Sequence, residues 1–426
     1  MKKVGVAILG LGVVGSGTYK ILTEHREFYK KNHCLDITVE GVMELNRERA
    51  LSLGVEESKI ASNIAEICSN SEIDIVVEAM GGIEPAKTFV LAALNSGKSI
   101  VTSNKELYCK YGHELEKVAK KNDCGLYYEA TCVGGVPVIR ALLDNLQGNK
   151  IISLTGIING TTNYILTKMA DCGAPYGEVL KEAQKLGYAE ANPTSDVEGY
   201  DAVYKLSILS SLSFHTKVPY TEIYREGITD VDPVDIQYGK HFGYAMKLLA
   251  IGKNGEHGIE VRVHPAFIKS THPLASVNDS YNAVYITGDG VEDVMLYGRG
   301  AGALPTGSAI VGDIIYCATH QGNNYSTFNN TEKADLTTKF IKNFESEYYL
   351  RLSAKDKAGV LSKITSHFTK RGISISQVIQ EKAEDGQVPL IILTHTTFEN
   401  DVKKTVDELN ASEGVAKVLS VVRVIS

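Results

Sequence analysis

The sequence predicts an α/β chain in three parts: a doubly wound parallel sheet, an α+β middle and a C-terminal βαββαβ unit. Three observations carry this. A strand-like run, a glycine turn and a helix-like run open the chain between Lys3 and His25. Strand-like and helix-like runs then alternate to about Cys132, the pattern of a parallel sheet with helices on both faces. From Tyr348 the order becomes strand, helix, strand, strand, helix, strand, the split βαβ pattern.

A chain of 426 residues has room for roughly two to four domains with real cores. Charged residues make up 22% and hydrophobic residues 43%, ordinary globular composition. Net charge is -7 and no basic block occurs, which argues against nucleic acid or an anionic membrane as partner. No apolar run approaches the roughly 20 residues that span a bilayer. The start, "MKKVGVAILGLGVVG", has the hydrophobicity of a signal peptide but not its cleavage site. The cysteines (34, 68, 109, 124, 132, 172 and 317) are odd in number and never form CxxC. Reduced thiols in the cytoplasm are expected.

In "KVGVAIL" the run is apolar and β-branched, as a buried strand requires. "GLGVVG" follows, with Gly10, Leu11, Gly12, Val13, Val14 and Gly15 in GxGxxG spacing. One glycine makes the tight turn, one lets backbone approach a pyrophosphate and one lets helix pack on strand. The phosphates then meet free N–H groups at the helix start. The second strand, "DITVEGVM", ends at Glu44, followed by Arg47 and Arg49. A carboxylate here suits the free ribose of NAD, and an arginine suits the 2′-phosphate of NADP, so the cofactor is NAD or NADP, with NAD favoured. Further strands are expected at "IDIVVEAM" (73–80), "SIVTSN" (99–104) and "GLYYEATC" (125–132). Ligands bind off the C-terminal strand ends, which brings "MGG" (80–82), Ser103 and Lys105 to the cofactor.

The pattern changes near residue 136. "KIISLTGIINGTTNYIL" reads as strand, polar turn at Asn159–Asn163, then helix, with a cap as one reading of that turn and a site as the other. A helix ends at Gly187, and the loop "EANPTSD" leads to a second helix from near Val197 to about Phe214. On a wheel, Asp201 and Lys205 share an arc with Ile208, Leu209 and Leu212, and no charge follows Lys205. The helix is therefore expected to be packed on most sides, with Asp201 and Lys205 facing the interior or a cleft. An exposed Asp–Lys pair at this spacing is worth roughly 0.3–0.5 kcal/mol; a desolvated one is more often found at a functional site.

At this point "AQKLGYAEANPTSDVEGYDAVYK" (183–205) resembles the signature of homoserine dehydrogenases. Ala183, Gly187, Tyr188, Ala189, Asn192, Pro193, Asp196, Val197, Gly199, Asp201 and Lys205 match it. "TSNK", "EATCVGGVP", "GIINGTTNYIL" and "GRGAGALPTGSAIVGD" are similar to the same family, so the resemblance runs over about 1 to 320. It implies interconversion of L-homoserine and L-aspartate 4-semialdehyde with NAD(P), with Lys205 as acid/base and Lys105 and Asp201 beside it. Glu190, Asp196, Asp201 and Gly187 are implied at the substrate, whose ammonium wants carboxylates. Gly302 is implied near the cofactor, on a helix at about 305–320 that returns to the first domain. Glu129 and the carbonyls of Cys132, Gly134 and Val136 resemble a Na+ loop; oxygen donors suit a hard cation.

The expected domains are 1–135 for the dinucleotide, 136–304 for substrate and dimerisation, a linker over 321–345, and 346–426. "DKAGVLSKI" and "GISISQ" make the last look like an ACT domain. That resemblance implies an amino-acid effector such as L-threonine at Asp356, Gly359, Val360 and Leu361, and a homodimer or homotetramer. Since the glycine turn begins at residue 10, no kinase domain is expected ahead of it. A prephenate-type dehydrogenase would want an Arg/His pocket, and a non-catalytic sensor a degraded lysine site. The middle segment has carboxylates and both lysines instead.

Overall fold

A computed structural model describes residues 1–320, 337–382, 386–412 and 415–425. The first sheet is parallel, in the order β2-β1-β3-β4-β5. Its strands are β1 (Lys2–Leu9), β2 (Leu35–Met43), β3 (Ile75–Glu78), β4 (Ser99–Thr102) and β5 (Leu126–Tyr127). Side chains of β1 divide between two cores. Val4, Val6 and Ile8 face Ile310 and Ile314, while Ala7 and Leu9 join Val90, Leu94 and Leu115. This two-sided burial explains an apolar run without alternation. The returning helix, Ala303–Thr319, packs on the Val13–Glu24 helix where glycines let the backbones meet. A Cβ at Gly17 would lie 2.1 Å from the Ala303 carbonyl oxygen.

"GLYYEATC" is a strand only at its start. Tyr128 leaves extended geometry, and Glu129–Thr131 form a single 3₁₀ turn. The second helix of the middle segment is also interrupted. Gly199 sits at φ +81, so Thr194–Val197 is a separate turn and the long helix runs Tyr200–Ser213.

The middle sheet is antiparallel: β6 (Ile151–Ile157), β8 (Tyr244–Gly255), β9 (Gly258–Lys269), β10 (Tyr281–Gly288) and β11 (Glu292–Arg299), with the short β7 (Tyr224–Arg225) beside β9. The C-terminal unit has β13 (Glu345–Lys355), β14 (Ile375–Gln380), β15 (Gln387–Thr394) and β17 (Ala416–Ile425), with β12 (Phe340–Ile341) and β16 (Thr397–Phe398) as two-residue additions. Its order, β17-β13-β15-β14, with helices Val360–Lys370 and Glu399–Ala411, is the ferredoxin-like arrangement of an ACT domain.

This unit is not a tethered module. β17 pairs in parallel with β9, placing Arg423, Val424 and Ile425 opposite Ala266, Phe267 and Ile268, so the two sheets are one. Most of the expected linker, 321–336, lies outside the described residues. Its last part is bound to the middle segment: Phe340–Ile341 pair with Ile259–Glu260, and Lys342 meets Glu222 at 2.7 Å. Local composition carries no trace of pairing between strands this far apart.

Two guanidiniums hold the joint: Arg351 bonds Asp232 and Asp235 of the middle segment, and Arg423 bonds across it as well. Arg423 places Nη1 2.6 Å from Glu226 Oε2 and Nε 2.8 Å from Glu399 Oε2. Burial by itself would raise the Glu399 carboxyl, but the hydrogen bond and charge of Arg423 outweigh it and lower it to about 2. Its folded pKa thus lies below the unfolded value near 4.3, so the stabilisation is present above about pH 4.3 and is lost as pH falls toward 2. Arg423→Met strands two carboxylates and should cost about 3–5 kcal/mol in denaturant unfolding at pH 7. Its stability should also fall less steeply than that of the wild type below about pH 4.3. An unchanged unfolding midpoint would show that Arg423 contributes nothing to the joint.

Candidate active site

The cleft opens off the C-terminal ends of the parallel sheet. Gly10 turns at φ +86, and a Cβ on Gly15 would fall 1.9 Å from the Gly10 carbonyl oxygen. Both positions therefore demand glycine. Gly12 precedes the Val13–Glu24 helix without a side-chain cap, and a Cβ there would meet nothing within 4 Å. That open space in front of free helical N–H groups fits a dinucleotide pyrophosphate. Glu44 supports the turn, accepting from the Leu11 N–H at 2.6 Å and the Asn46 N–H at 2.9 Å. Glu78, at the end of β3, accepts from the Met80 N–H and the Thr102 hydroxyl, fixing the two strand-end loops to each other. Asn104 caps the next helix and donates to the Gly82 carbonyl at 2.6 Å, which makes Lys105 the first helical residue.

Across the cleft, Gly199 redirects the chain so that Asp201 enters in the first turn of its helix and Lys205 one turn later. They are 4% and 8% exposed. Lys205 Nζ lies 2.7 Å from Asp201 Oδ2 and 2.8 Å from the Ile158 carbonyl oxygen. Lys105 Nζ lies 2.9 Å from Asp201 Oδ1. Asn159 donates through Nδ2 to Asp201 at 2.9 Å and Asp196 at 2.7 Å, while its Oδ1 caps the Gly160–Cys172 helix. Cap and site are thus the same residue. Burial opposes ionisation of Asp201, but Lys105 and then Lys205 outweigh it and hold its carboxyl well below the usual range. The same pairing, foremost the Asp201 charge, raises Lys105. Burial, then the Asp201 charge, raises Asp196. A surface pair would contribute a few tenths of a kcal/mol, whereas removing one partner of a buried pair costs about 3–5 kcal/mol, so this cluster is not a surface bridge.

The cleft has a volume of about 1540 Å³ counting its open mouth. Of the residues the sequence points to, it brings together Val13, Val14, Ser103, Lys105, Gly134, Gly187, Glu190, Asp196, Asp201, Lys205 and Gly302. Gly10, Leu11, Gly12, Gly15 and Glu44 form the turn behind it. Both Asp201 oxygens are committed to lysines and Asn159, so Glu190 and Asp196 are the carboxylates left facing the cleft. Glu129 lies deeper. Its carboxylate accepts from the Ile139 and Arg140 N–H groups, and burial, then the Asp313 charge, push it up to about 7. Asp313 is buried beside it, with Arg140 Nη2 at 2.8 Å. The Val136 carbonyl accepts from Val138, and burial pushes the Cys132 thiol up to about 12, leaving it unreactive. Among the described residues no three His, Cys, Asp or Glu side chains cluster as metal ligands. Asp356, Gly359, Val360 and Leu361 lie apart, at an outward-facing turn and helix start of the C-terminal unit. Sequence reasoning passed over Ser280 and Arg299 in the cleft wall; the arginine ahead of "GAG" was their visible signal.

A glycine turn that cradles phosphates, opposite an ammonium held over an open cleft, has the working parts of a nicotinamide-dependent oxidoreductase. Comparison with known proteins narrows that class. The family models described as "Homoserine dehydrogenase, NAD binding domain", "Homoserine dehydrogenase" and "ACT domain" match residues 10–129, 137–315 and 348–414. The chain is 38% identical to the homoserine dehydrogenase of Bacillus subtilis, covering 100% of this chain and 99% of that one. It is also 38% identical to the enzyme of Corynebacterium glutamicum, covering 99% and 95%. A homoserine dehydrogenase structure from Thiobacillus denitrificans superposes with a TM-score of 0.92, at 38% identity, over 100% and 99% of the two chains. A hyperthermophilic archaeal homoserine dehydrogenase in complex with NADPH superposes with a TM-score of 0.65, at 28% identity, over 76% of this chain and 100% of that one. The chain belongs to the homoserine dehydrogenase family. It is an NAD(P)-dependent oxidoreductase acting on homoserine and aspartate semialdehyde.

Asn159→Ser separates cap from site. Serine caps as well as asparagine, but it cannot donate to both aspartates. Thermal unfolding should move little, while kcat/KM for homoserine falls roughly tenfold, the worth of one charged hydrogen bond. Unchanged kcat/KM would mean that Asn159 matters only as a cap.

Proposed function

We propose that Lys205 is the general acid and base of the reaction. The observation that carries this is its ammonium in the cleft, with two of three donors committed to Asp201 and the Ile158 carbonyl and the third left for a substrate oxygen. The dinucleotide, when bound, supplies and accepts the hydride. Reduction of the aldehyde turns its oxygen into an alkoxide, and Lys205 donates the proton that quenches it. In the oxidative direction the neutral amine takes the hydroxyl proton back. Lys105 adds positive charge where the alkoxide forms, and Asp201 holds the two lysines in register. Glu190 and Asp196 receive the substrate ammonium, beside the turn at Gly187.

NAD is the favoured cofactor, because a carboxylate, Glu44, directly follows β2 and Arg47 is drawn to Glu57 at 2.7 Å. A monovalent cation such as Na+ at Glu129, with the carbonyls of Cys132, Gly134 and Val136, is supported by the second buried acid beside Glu129, Asp313, whose ion-pair partner is Arg140. The C-terminal unit binds an amino acid such as L-threonine at its Asp356–Leu361 turn. Gly359 at φ +86 starts the Val360–Lys370 helix there, and Leu361 is exposed beside it. A homodimer or homotetramer is consistent with the apolar residues Ile152, Met295 and Tyr297 exposed on the middle sheet.

Lys205→Met should bind NADH and NADPH as the wild type does and lose roughly 10²–10⁴-fold in kcat, followed by cofactor absorbance with homoserine. Near-normal turnover would remove Lys205 from this role. A thermal-shift screen of amino acids should give an upward shift with the effector, and that amino acid should also lower the rate. A flat screen would leave the unit as an assembly module.

A further inference from the structure

The substrate is a zwitterion, and the roles assigned so far leave its α-carboxylate without a cation. Three basic residues line the cleft: Lys105, Lys205 and Arg299. The lysines share Asp201. Among the described residues, Arg299 has no carboxylate partner. Its guanidinium is nonetheless held: Nη1 donates to the Ser280 hydroxyl at 2.9 Å, and Cζ lies 4.2 Å from the centre of the Tyr281 ring. Its backbone is fixed too, because the Arg299 carbonyl accepts from the Gly135 N–H at 3.0 Å.

The anchor decides which anion Arg299 faces. Ser280 belongs to the substrate side. A Cβ on Gly160 would lie 2.9 Å from the Ser280 carbonyl oxygen, so that backbone abuts the start of the Gly160–Cys172 helix. The residue before Gly160 is Asn159, which holds Asp196 and Asp201. The guanidinium is thus tied to the wall that carries the acids, whereas the pyrophosphate cradle is built from Gly10 to Val14 on the other domain. Arginine also has the planar donor pair that a carboxylate matches.

We infer that Arg299 binds the α-carboxylate of the substrate and so makes the cleft selective for amino-acid alcohols and aldehydes over simple amino alcohols. This rests on reading the cleft as the substrate site. Arg299 is a specificity residue: it holds one end of the substrate while Glu190 and Asp196 hold the ammonium and Lys205 the reacting oxygen.

Steady-state kinetics of the full-length Arg299→Gln and Arg299→Lys proteins test this. The KM for L-homoserine should rise roughly tenfold or more in R299Q, with the KM for NAD(P) and the melting temperature unchanged. R299K should recover part of the loss. Inhibition by 3-amino-1-propanol, the same amino alcohol without the carboxylate, should be equal in wild type and R299Q. Three results would overturn the inference. The homoserine KM could stay unchanged; the cofactor KM could rise instead, which would make Arg299 a phosphate ligand; or inhibition by the amino alcohol could weaken as much as homoserine binding, which would make Arg299 merely structural. Lys205→Met assayed in parallel keeps the readings apart: if it turns over normally, the reading of the cleft fails whatever Arg299 does.

Discussion

Asp201 carries one negative charge between two ammoniums, and the site is arranged around it. A carboxylate this deeply buried is costly unless it is matched. Lys205 comes from its own helix, Lys105 from the far domain, and Asn159 from the turn between strand and helix. These four residues come from three separate stretches of the chain, so the cleft has its shape only when the dinucleotide domain and the middle domain are docked. Because the charge is overcompensated by two cations, Asp201 stays ionised and both lysines stay oriented. That leaves the neighbouring carboxylates, Glu190 and Asp196, free of the lysines on the cleft wall.

The same economy of charge recurs at the other end of the molecule. Arg423 sits between Glu226 of the middle segment and Glu399 of the ACT unit. Glu226 follows Arg225, whose guanidinium bonds the Glu198 carbonyl and, at 3.0 Å, the Tyr200 hydroxyl. Ile228 donates to the Val197 carbonyl at 2.8 Å. The segment held by the ACT strand therefore grips the turn that leads directly into Asp201. β17 is thereby joined by a short chain of contacts to the helix that carries Asp201 and Lys205.

Much of this was readable in local pattern. The opening strand and glycine turn follow from one buried run and three positions where a side chain will not fit or is not wanted. The burial of Asp201 and Lys205 followed from a helix with no charged residue beyond Lys205. Local pattern failed where a single residue overrides a run. Gly199 splits a continuous-looking helix, and Tyr128 ends a strand that the composition would continue. Asn159 was legible as a cap, but its amide donors to Asp196 and Asp201 were not, because those aspartates lie far along the chain. Arg299 was passed over because one arginine in a glycine-rich stretch has no periodicity to mark it.

By itself the sequence determined the types of element, the phosphate turn and the pairing of an acid with a lysine one turn apart, since each depends on residues within a few positions of one another. Only the tertiary structure decided that Lys105 shares the charge of Asp201, that Ser280 holds the Arg299 guanidinium, and that β17 joins β9 in one sheet. Those facts depend on contacts between residues distant in the chain, and such contacts are set by packing and desolvation rather than by local preference.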